Sequence, residues 1–206
     1  MATVGIIDYG MGNLRSVEKG LEKVGVNTAI CDKASSCDWY DGLVLPGVGA
    51  FKDAIDTLRR LELDRAIKEY IATGRHLLGI CLGMQLLMEY SEEYGRNVGL
   101  GIVPGGCLRL PETVKVPHMG WNVLKIERPN ALFDGLESGE RFYFVHSYYC
   151  APDDDEWIIG TTEYGLEFTC ALGRENVWGL QFHPEKSSLL GLRILENFGR
   201  MVGAVS

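Results

Sequence analysis

The first half of the chain alternates short apolar runs with segments whose apolar residues recur at helical spacing. Short apolar runs bounded by turn residues are typical of strands covered on both faces, and helical spacing indicates helices with one buried face. We predict strands at residues 4–7, 27–31, 42–45 and 76–80. Helices are predicted around residues 14–24, 54–58, 66–71 and 84–90. Strands separated by helices of this length are joined by right-handed crossovers, so this half predicts a mainly parallel sheet.

The second half changes to extended segments rich in aromatic and β-branched residues, which are typical of strands. These segments are residues 106–110, 121–126, 142–149, 157–161, 168–172 and 177–182. A closing helix is predicted at residues 188–202, and no proline- or serine-rich linker separates the two halves. We therefore expect one α/β domain over residues 1–206. Its sheet should be mostly parallel and flanked by helices, with additional antiparallel strands in the C-terminal half.

Charge and apolar run length argue against several classes of partner. The 206 residues include 20 lysines and arginines against 28 aspartates and glutamates, a formal net charge of −8. An acidic chain without a basic run is a poor candidate for binding nucleic acid or an anionic membrane. The longest apolar stretch, residues 77–88, is far shorter than the ~20 residues that span a bilayer. No basic leader precedes the first apolar run, which ends at Asp8, so we expect a cytoplasmic protein.

Of six cysteines, Cys81 stands in the sequence context that points to chemistry. None belongs to a C-x-x-C pair or a Cys/His cluster, so we expect no metal site and reduced, mostly buried thiols. An apolar strand runs directly into Gly79-Ile-Cys-Leu-Gly83, the glycine-flanked turn of a nucleophile elbow. Glycines permit the strained turn, and the N-terminus of the following helix favours a thiolate. Taken alone, this pentapeptide fits a buried core cysteine between packing glycines equally well.

A candidate general base and its orienting carboxylate follow the last aromatic strand, in Gln181-Phe-His-Pro-Glu185. In extended chain, residues two apart point the same way, so Glu185 can reach the imidazole of His183. A carboxylate on one ring nitrogen fixes the tautomer and leaves the other nitrogen to accept the thiol proton. A histidine beside a glutamate is more often simply solvated, so this motif gains its weight from the pairing with Cys81.

A second glycine-rich turn, Pro46-Gly-Val-Gly49, follows the third predicted strand. Gly47 and Gly49 allow the backbone at Val48 and Gly49 to approach a ligand and to direct N–H groups at it. With the amide of Leu82, they would form an oxyanion hole for the product of thiolate attack on a carbonyl. The absence of a following Lys-Ser/Thr argues against a phosphate-binding loop, and an ordinary strand-to-helix turn is the alternative.

Together these segments resemble the class I, or triad, glutamine amidotransferases, whose fold is flavodoxin-like. The resemblance rests on residues 46–51, 79–85 and 183–187, and it extends over essentially the whole chain. More narrowly, four further segments resemble the HisH glutaminase subunits of imidazole glycerol phosphate synthase. These are Asp8-Tyr-Gly-Met-Gly-Asn13, Pro117-His-Met-Gly-Trp-Asn122, Phe144-Val-His-Ser-Tyr148 and Lys186-Ser187.

The resemblance implies a glutaminase that works with a synthase partner. Cys81 would attack the side-chain amide of glutamine, while His183, oriented by Glu185, moves the protons. The expected substrate contacts are Gly47, Gly49, Gln85, Ser147 and Tyr148. The ammonia would pass into a HisF-like (β/α)8 cyclase subunit of a heterodimer, which makes imidazole glycerol phosphate and an aminoimidazole carboxamide ribotide in histidine biosynthesis. No metal or organic cofactor is implied.

Transfer of ammonia requires an interface sealed over Cys81, because ammonia escapes or is protonated in bulk water. Exposed apolar side chains near the triad would belong to that interface, and core packing is their alternative role. The candidate partner contacts are Met119, Trp121, Tyr143, Lys186 and Asn13. Two further histidines near these segments, His118 and His146, are expected to be structural.

Other functions stay open at this point. The glutaminase subunits of anthranilate or aminodeoxychorismate synthase typically carry Pro-Gly-Pro-Gly where this chain has Pro-Gly-Val-Gly at 46–49. A HisH-like paralogue would serve another amidination pathway, and a free cysteine hydrolase would act unaided on γ-glutamyl or peptide substrates. A catalytically inactive binding subunit is disfavoured, because all three triad residues are present.

Overall fold

The structure is a computed structural model that describes residues 2–205. Its strands are β1 (Thr3–Ile7), β2 (Asn27–Cys31), β3 (Gly42–Gly47), β4 (His76–Cys81), β5 (Met88–Ser91), β6 (Asn97–Val98), β7 (Val103–Arg109), β8 (His118–Val123), β9 (Lys125–Ile126), β10 (Arg141–His146), β11 (Tyr148–Pro152), β12 (Ile158–Glu163), β13 (Glu167–Arg174) and β14 (Val177–Leu180). Its α-helices are α1 (Leu14–Lys23), α2 (Phe51–Arg60), α3 (Leu63–Ala72), α4 (Leu82–Leu86) and α5 (Ser188–Met201). Short 3-10 turns are formed by Ala34–Trp39, Ala131–Phe133, Asp155–Trp157 and Pro184–Lys186.

A large mixed sheet forms the frame of the molecule. Its strands lie in the order β2-β1-β3-β4-β14-β13-β11-β7-β5-β6, and β12 pairs with β13 and β9 beside this path. All neighbours from β2 to β14 are parallel, whereas those from β14 to β7 are antiparallel. Strands β8 and β10 form a separate antiparallel pair. The arrangement confirms the expected α/β class with antiparallel strands added in the C-terminal half.

Helices cover both faces of the parallel strands, which are therefore buried on both sides. Alternate residues of β3 point in opposite directions: Val44 joins one apolar core, whereas Leu43 and Leu45 join the other. The first core is completed from α1 and α5 by Val17, Leu21, Ile194, Leu195 and Phe198. The second is completed from α2 and α3 by Phe51, Ile55, Leu58, Ile67 and Tyr70. Packing from both sides fixes the carboxyl ends of the parallel strands at one edge of the sheet.

The chain departs from the sequence prediction after Cys81. The helix predicted at 84–90 is short, since α4 ends at Leu86 and β5 begins at Met88. The carbonyls of Leu86 and Leu87 accept hydrogen bonds from the amides of Leu100 and Ile102, so pairing across the chain replaces the last helical turns. Residues in this segment are apolar and buried in either form, and their pattern carries no signal that separates helix from strand.

Three further observations concern the helices, metal binding and the thiols. Within residues 2–205, the helices are all too short or too polar to cross a lipid bilayer. The same residues contain no group of three or more histidine, cysteine, aspartate or glutamate side chains placed to bind a metal ion. All six cysteines are free and buried.

Gly191 allows α5 to pack directly on the turn Pro184–Lys186, and we predict that Gly191→Ala destabilises the protein. A Cβ at this position would lie 1.9 Å from the carbonyl oxygen of Pro184. Alanine is normally better than glycine in a helix by ~1 kcal/mol, whereas overpacking costs about 1–3 kcal/mol. Because the contact is with backbone, which cannot easily move away, we expect the clash to outweigh the helix propensity of alanine and to lower the free energy of unfolding.

Urea unfolding followed by tryptophan fluorescence tests this prediction. The midpoint for Gly191→Ala should fall, while Leu189→Ala, an exposed position on the same helix, should leave it nearly unchanged. A midpoint for Gly191→Ala equal to or above that of the unmodified protein would contradict the close packing of α5.

Candidate active site

Cys81 occupies a strained turn where β4 ends and α4 begins. Its backbone has φ 55° and ψ −109°, a combination that costs a non-glycine residue energy. A Cβ at Gly83 would lie 1.8 Å from the carbonyl oxygen of Leu45, and one at Gly79 would lie 2.8 Å from the backbone of Gly83. Glycines on both sides are therefore required by close backbone approach, which is the geometry that the pentapeptide predicts.

His183 reaches the same edge of the sheet from the neighbouring strand. Strands β4 and β14 pair in parallel, with Leu180 opposite Ile80, so the chain beyond β14 continues alongside Cys81. The amide of His183 donates to the carbonyl of Tyr143 at 2.9 Å, which holds its backbone in place. The parallel register thus brings the histidine and the cysteine together although they are far apart in sequence.

Glu185 fixes the orientation of the imidazole. Its Oε1 lies 2.8 Å from Nδ1 of His183, and both side chains are almost completely buried. The contact does not arise from extended chain, as the sequence argument assumed, because Pro184–Lys186 forms a 3-10 turn. The hydroxyl of Ser187 donates to the carbonyl of His183 at 2.6 Å and closes this turn. The turn itself therefore brings Glu185 back to the ring.

The pKa of His183 is raised to about 9 by its charged surroundings. Burial alone lowers it, but interaction with Cys81 and Glu185 outweighs the loss of hydration. Since Nδ1 is held by Glu185, the other nitrogen is the one available for proton transfer. Nε2 is buried and has no hydrogen-bond partner among the residues that the structure describes. The imidazole is therefore held with one nitrogen engaged and one nitrogen free near the sulfur.

The sulfur of Cys81 lies in the lining of a cavity of about 300 Å3. Of the residues predicted to act here, the cavity is lined by Val48, Gly49, Cys81, Leu82, Gln85, Ser147, Tyr148 and His183. Ser147 lies at a break that divides the strand predicted at 142–149 into β10 and β11, which belong to different sheets. The break opens the chain toward the cavity, and the amide of Gln85 donates to the carbonyl of Tyr148 at 2.9 Å.

The glycine-rich turn lies beside the elbow because β3 and β4 pair in parallel, with Gly47 opposite Cys81. Gly49 has a φ of 106°, a conformation that favours glycine, and Val48 is partly exposed at the cavity. Leu82 is the first residue of α4, where backbone amides are not used within the helix. The backbone at these three positions therefore surrounds the space next to the sulfur.

Gly47 is not among the residues that line the cavity, and its expected contact with substrate stays a prediction. A Cβ at this residue would lie 2.5 Å from the hydroxyl of Tyr9 and 3.0 Å from the Cβ of Leu82. Close packing beneath the elbow explains why glycine stands at this position. Its role is to let β3 approach α4.

His118 and His146 form a chain of neutral hydrogen bonds behind the cavity. The carbonyl of Tyr148 accepts from Nδ1 of His146 at 2.9 Å, so Nε2 of His146 must accept from Nδ1 of His118, also at 2.9 Å. Burial lowers the pKa of His118 to about 4 and that of His146 to about 3. Their fixed tautomers support the expected structural role, although His146 also contributes to the cavity wall.

The candidate partner contacts differ in exposure. Met119 and Trp121 on β8 are 62% and 50% exposed, and Tyr143 on β10 makes an edge-to-face contact with Trp121. Lys186 is exposed next to Glu185, whereas Asn13 is partly exposed immediately before α1. The two apolar side chains on β8 are therefore surface groups and not parts of the core.

Sequence reasoning missed several residues around the sulfur. Val145 accepts a hydrogen bond from Cys81 Sγ through its carbonyl, and Gln181 donates to Sγ through its side-chain amide, both at 3.8 Å. Glu93 and Pro117 also line the cavity. Gln181 follows the last residue of β14, where the chain bends, so strand alternation does not predict its contact with the sulfur. For Glu93 there is no signal either, because two adjacent glutamates suggest a solvated surface.

Comparison with known proteins places the chain in a family. The family described as "Glutamine amidotransferase class-I" matches residues 5–202. The imidazole glycerol phosphate synthase subunit HisH of Moorella thermoacetica is 52% identical over 98% of this chain and 96% of the relative. The subunit of the same name from Syntrophotalea carbinolica is also 52% identical, over 95% of this chain and 98% of the relative.

Solved structures share the fold at lower identity. The structure of PurLQS from Thermotoga maritima has a TM-score of 0.77 at 20% identity and covers 97% of this chain and 98% of that chain. A glutamine amidotransferase from the same organism has a TM-score of 0.72 at 16% identity and covers 98% of each. These solved structures show the fold alone, whereas the family match and the HisH relatives show the family. This chain belongs to the class I glutamine amidotransferase family and, within it, to the HisH subunits.

Proposed function

We propose that this enzyme hydrolyses glutamine to glutamate and ammonia with Cys81, His183 and Glu185, and delivers the ammonia to a HisF-like (β/α)8 cyclase. The observation that supports it most is the position of the imidazole. Its Nδ1 is held by a buried carboxylate, its Nε2 has no partner within residues 2–205, and His183 interacts with Cys81 where both line the cavity. The names of the relatives support a place in imidazole glycerol phosphate synthase.

The proposed reaction proceeds through a thioester. The thiolate of Cys81 forms a bond to the side-chain carbonyl carbon of glutamine, and the carbonyl oxygen becomes an oxyanion held by amides at Val48, Gly49 and Leu82. His183 gives a proton to the leaving nitrogen as the C–N bond breaks, which releases ammonia. Water then attacks the thioester, with His183 as the base, and glutamate leaves as the thiolate is restored.

The cavity wall offers groups for the amino-acid end of the substrate. Gln85, Ser147 and Tyr148 supply polar atoms on one side, next to Glu93. The carboxylate of Glu93 accepts from the amide of Phe51 at 2.6 Å, which fixes its position. A fixed carboxylate in the lining is suited to bind the α-ammonium group of glutamine.

The surface on β8 and β10 supports a partner placed over the active site. Val145 lies on β10 next to Cys81, and the exposed Met119 is its pairing partner on β8. Exposed apolar side chains this close to a reactive group are typical of an interface. Lys186 would add a charged contact and Asn13 a polar one at its edge. Such an interface would keep ammonia from bulk water.

Cys81→Ala should abolish ammonia release while preserving the complex. Because the nucleophile forms the bond to substrate, its removal should lower glutamine hydrolysis at least about a thousandfold. Cys170→Ala, which removes a buried thiol outside the cavity, should retain activity within a few fold. Ammonia release and co-purification with the cyclase are measured separately for each variant.

Two outcomes would contradict the proposal. Hydrolysis that survives Cys81→Ala would exclude the cysteine as the nucleophile. Equal hydrolysis of γ-glutamyl peptides with and without the cyclase would favour the free cysteine hydrolase instead.

The pH dependence of kcat/KM should reveal the effect of the Glu185 carboxylate on the pKa of His183. The pKa of His183 near 9 means that the imidazolium is lost as pH rises through this value, so kcat/KM should fall on the alkaline side. Glu185→Gln removes the negative charge that helps to raise this pKa, so the alkaline limb should move to lower pH by about one unit or more.

A profile of kcat/KM between pH 6 and about 10.5 tests the shift. Glu69→Gln, at an exposed carboxylate on α3, serves as the control and should leave the limb in place. A limb at the same pH or a higher pH in Glu185→Gln would show that the carboxylate does not stabilise the imidazolium.

Trp121→Ala should weaken association with the cyclase. A half-exposed tryptophan beside the active site has the properties of an interface hot spot, whose truncation costs about 2 kcal/mol or more, roughly thirtyfold in affinity. The matched control is Trp39→Ala, because Trp39 is 75% exposed but precedes the amino end of β3, at the opposite edge of the sheet. Titration calorimetry against the cyclase compares them. Equal affinities for the two variants would exclude Trp121 from the interface.

A further inference from the structure

Gln181 is a buried amide whose place at the sulfur is not explained by the triad. We propose that Gln181 donates a hydrogen bond that orients and stabilises the Cys81 thiolate and links it to the wall of the glutamine cavity. This inference rests on the proposed role of Cys81 as the nucleophile.

The parallel register places Gln181 next to the elbow. Leu180 pairs with Ile80, so the following residues, Gln181 and Cys81, are neighbours across the sheet. The amide of Gln181 donates to the carbonyl of Cys170 at 2.9 Å, which fixes its backbone on the other side. The chain bends at residues 181–182 directly after β14, and Gln181 and His183 both follow this strand at the edge where Cys81 lies.

The hydrogen-bond network determines which end of the Gln181 amide faces the sulfur. The carbonyl of Tyr148 can only accept, so Gln85 must present its NH2 group to it, at 2.9 Å. The same NH2 group then donates to Oε1 of Gln181 at 3.0 Å. This leaves the NH2 group of Gln181 for the sulfur, at 3.8 Å. The carbonyl of Tyr148 therefore fixes the orientation of the Gln85 amide, which in turn directs the NH2 group of Gln181 at the sulfur of Cys81.

The two protonation states of the sulfur have different partners. A thiol can donate to the carbonyl of Val145, which lies at 3.8 Å, whereas a thiolate can only accept. Loss of the proton thus removes the hydrogen bond to the carbonyl of Val145, whereas the amide of Gln181 can donate to the sulfur in both states. The other ionisable groups with an electrostatic effect here are His183 and Tyr9, and burial raises the pKa of Tyr9 so that it stays neutral.

The reactivity of the Cys81 sulfur can be measured independently of glutamine hydrolysis, by its rate of alkylation. Gln181→Met keeps the length of the side chain but removes the donor, and Gln181→Glu keeps an oxygen where Oε1 stands. Alkylation of Cys81 by iodoacetamide at pH ~7.5 should slow about tenfold in each, the loss expected for one hydrogen bond to a charged group. In glutamine hydrolysis with the cyclase, kcat should fall by a similar factor while KM changes less than about twofold.

Controls separate this role from packing. Cys81→Ala supplies the blank for the five other cysteines, which are more deeply buried. Asn197→Leu removes another buried amide, which donates to the carbonyls of Leu132 and Asp134 outside the cavity. It should lower stability without slowing alkylation of Cys81.

The alkylation rates test the role of Gln181, and the activity of the unmodified complex tests the proposed function. Slower alkylation in Gln181→Met, with Asn197→Leu unaffected, supports the donor role, whereas slowing confined to Gln181→Glu reflects repulsion by the added carboxylate and overturns it. Alkylation at the unmodified rate in both Gln181 variants overturns it, whatever their stability. Absence of glutaminase activity in the unmodified complex would instead refute the proposed function, and the alkylation result would still decide whether Gln181 acts on the sulfur.

Discussion

The parallel pairing between β4 and β14 holds the candidate active site together. It joins a strand from the first half of the chain to one from the second, and it sets Ile80 opposite Leu180. One strand then turns sharply at Cys81, while the extension of the other carries Gln181 and His183. Both strands are packed between two apolar cores, which hold the edge at which they end. A shift of this register would separate the sulfur from both of its neighbours.

The same packing sustains the strained backbone at Cys81. A non-glycine residue at φ 55° and ψ −109° costs on the order of 1–3 kcal/mol. The close approach of Gly83 to Leu45 and of Gly79 to the first turn of α4 holds the elbow in this conformation. The elbow places Cys81 where the apolar core meets the wall of the cavity. Catalytic geometry is thus stabilised by contacts that lie beneath the site.

The three buried histidines near the cavity differ in pKa because their neighbouring groups differ. Burial lowers the pKa of His118 and His146, which hydrogen-bond to each other and to a carbonyl. The pKa of His183 rises although it is also buried, because a carboxylate and a sulfur face its two nitrogens. One region therefore contains neutral histidines that support the wall and one histidine suited to carry a proton.

Elements that depend on local pattern and local chemistry can be predicted from the order of the amino acids. Apolar runs gave the parallel strands, glycines at 79 and 83 marked the elbow, and the segment 181–185 marked the base and its carboxylate. Only the tertiary structure reveals that Met88–Ser91 is a strand, that Glu93 lines the cavity and that the side chain of Gln181 reaches the sulfur of Cys81. These features depend on partners distant in the chain: β7 for the strand, the amide of Phe51 for Glu93, and the sulfur and Gln85 for Gln181. Local pattern records which residues are buried, but the groups that they meet are set by register and packing between distant segments.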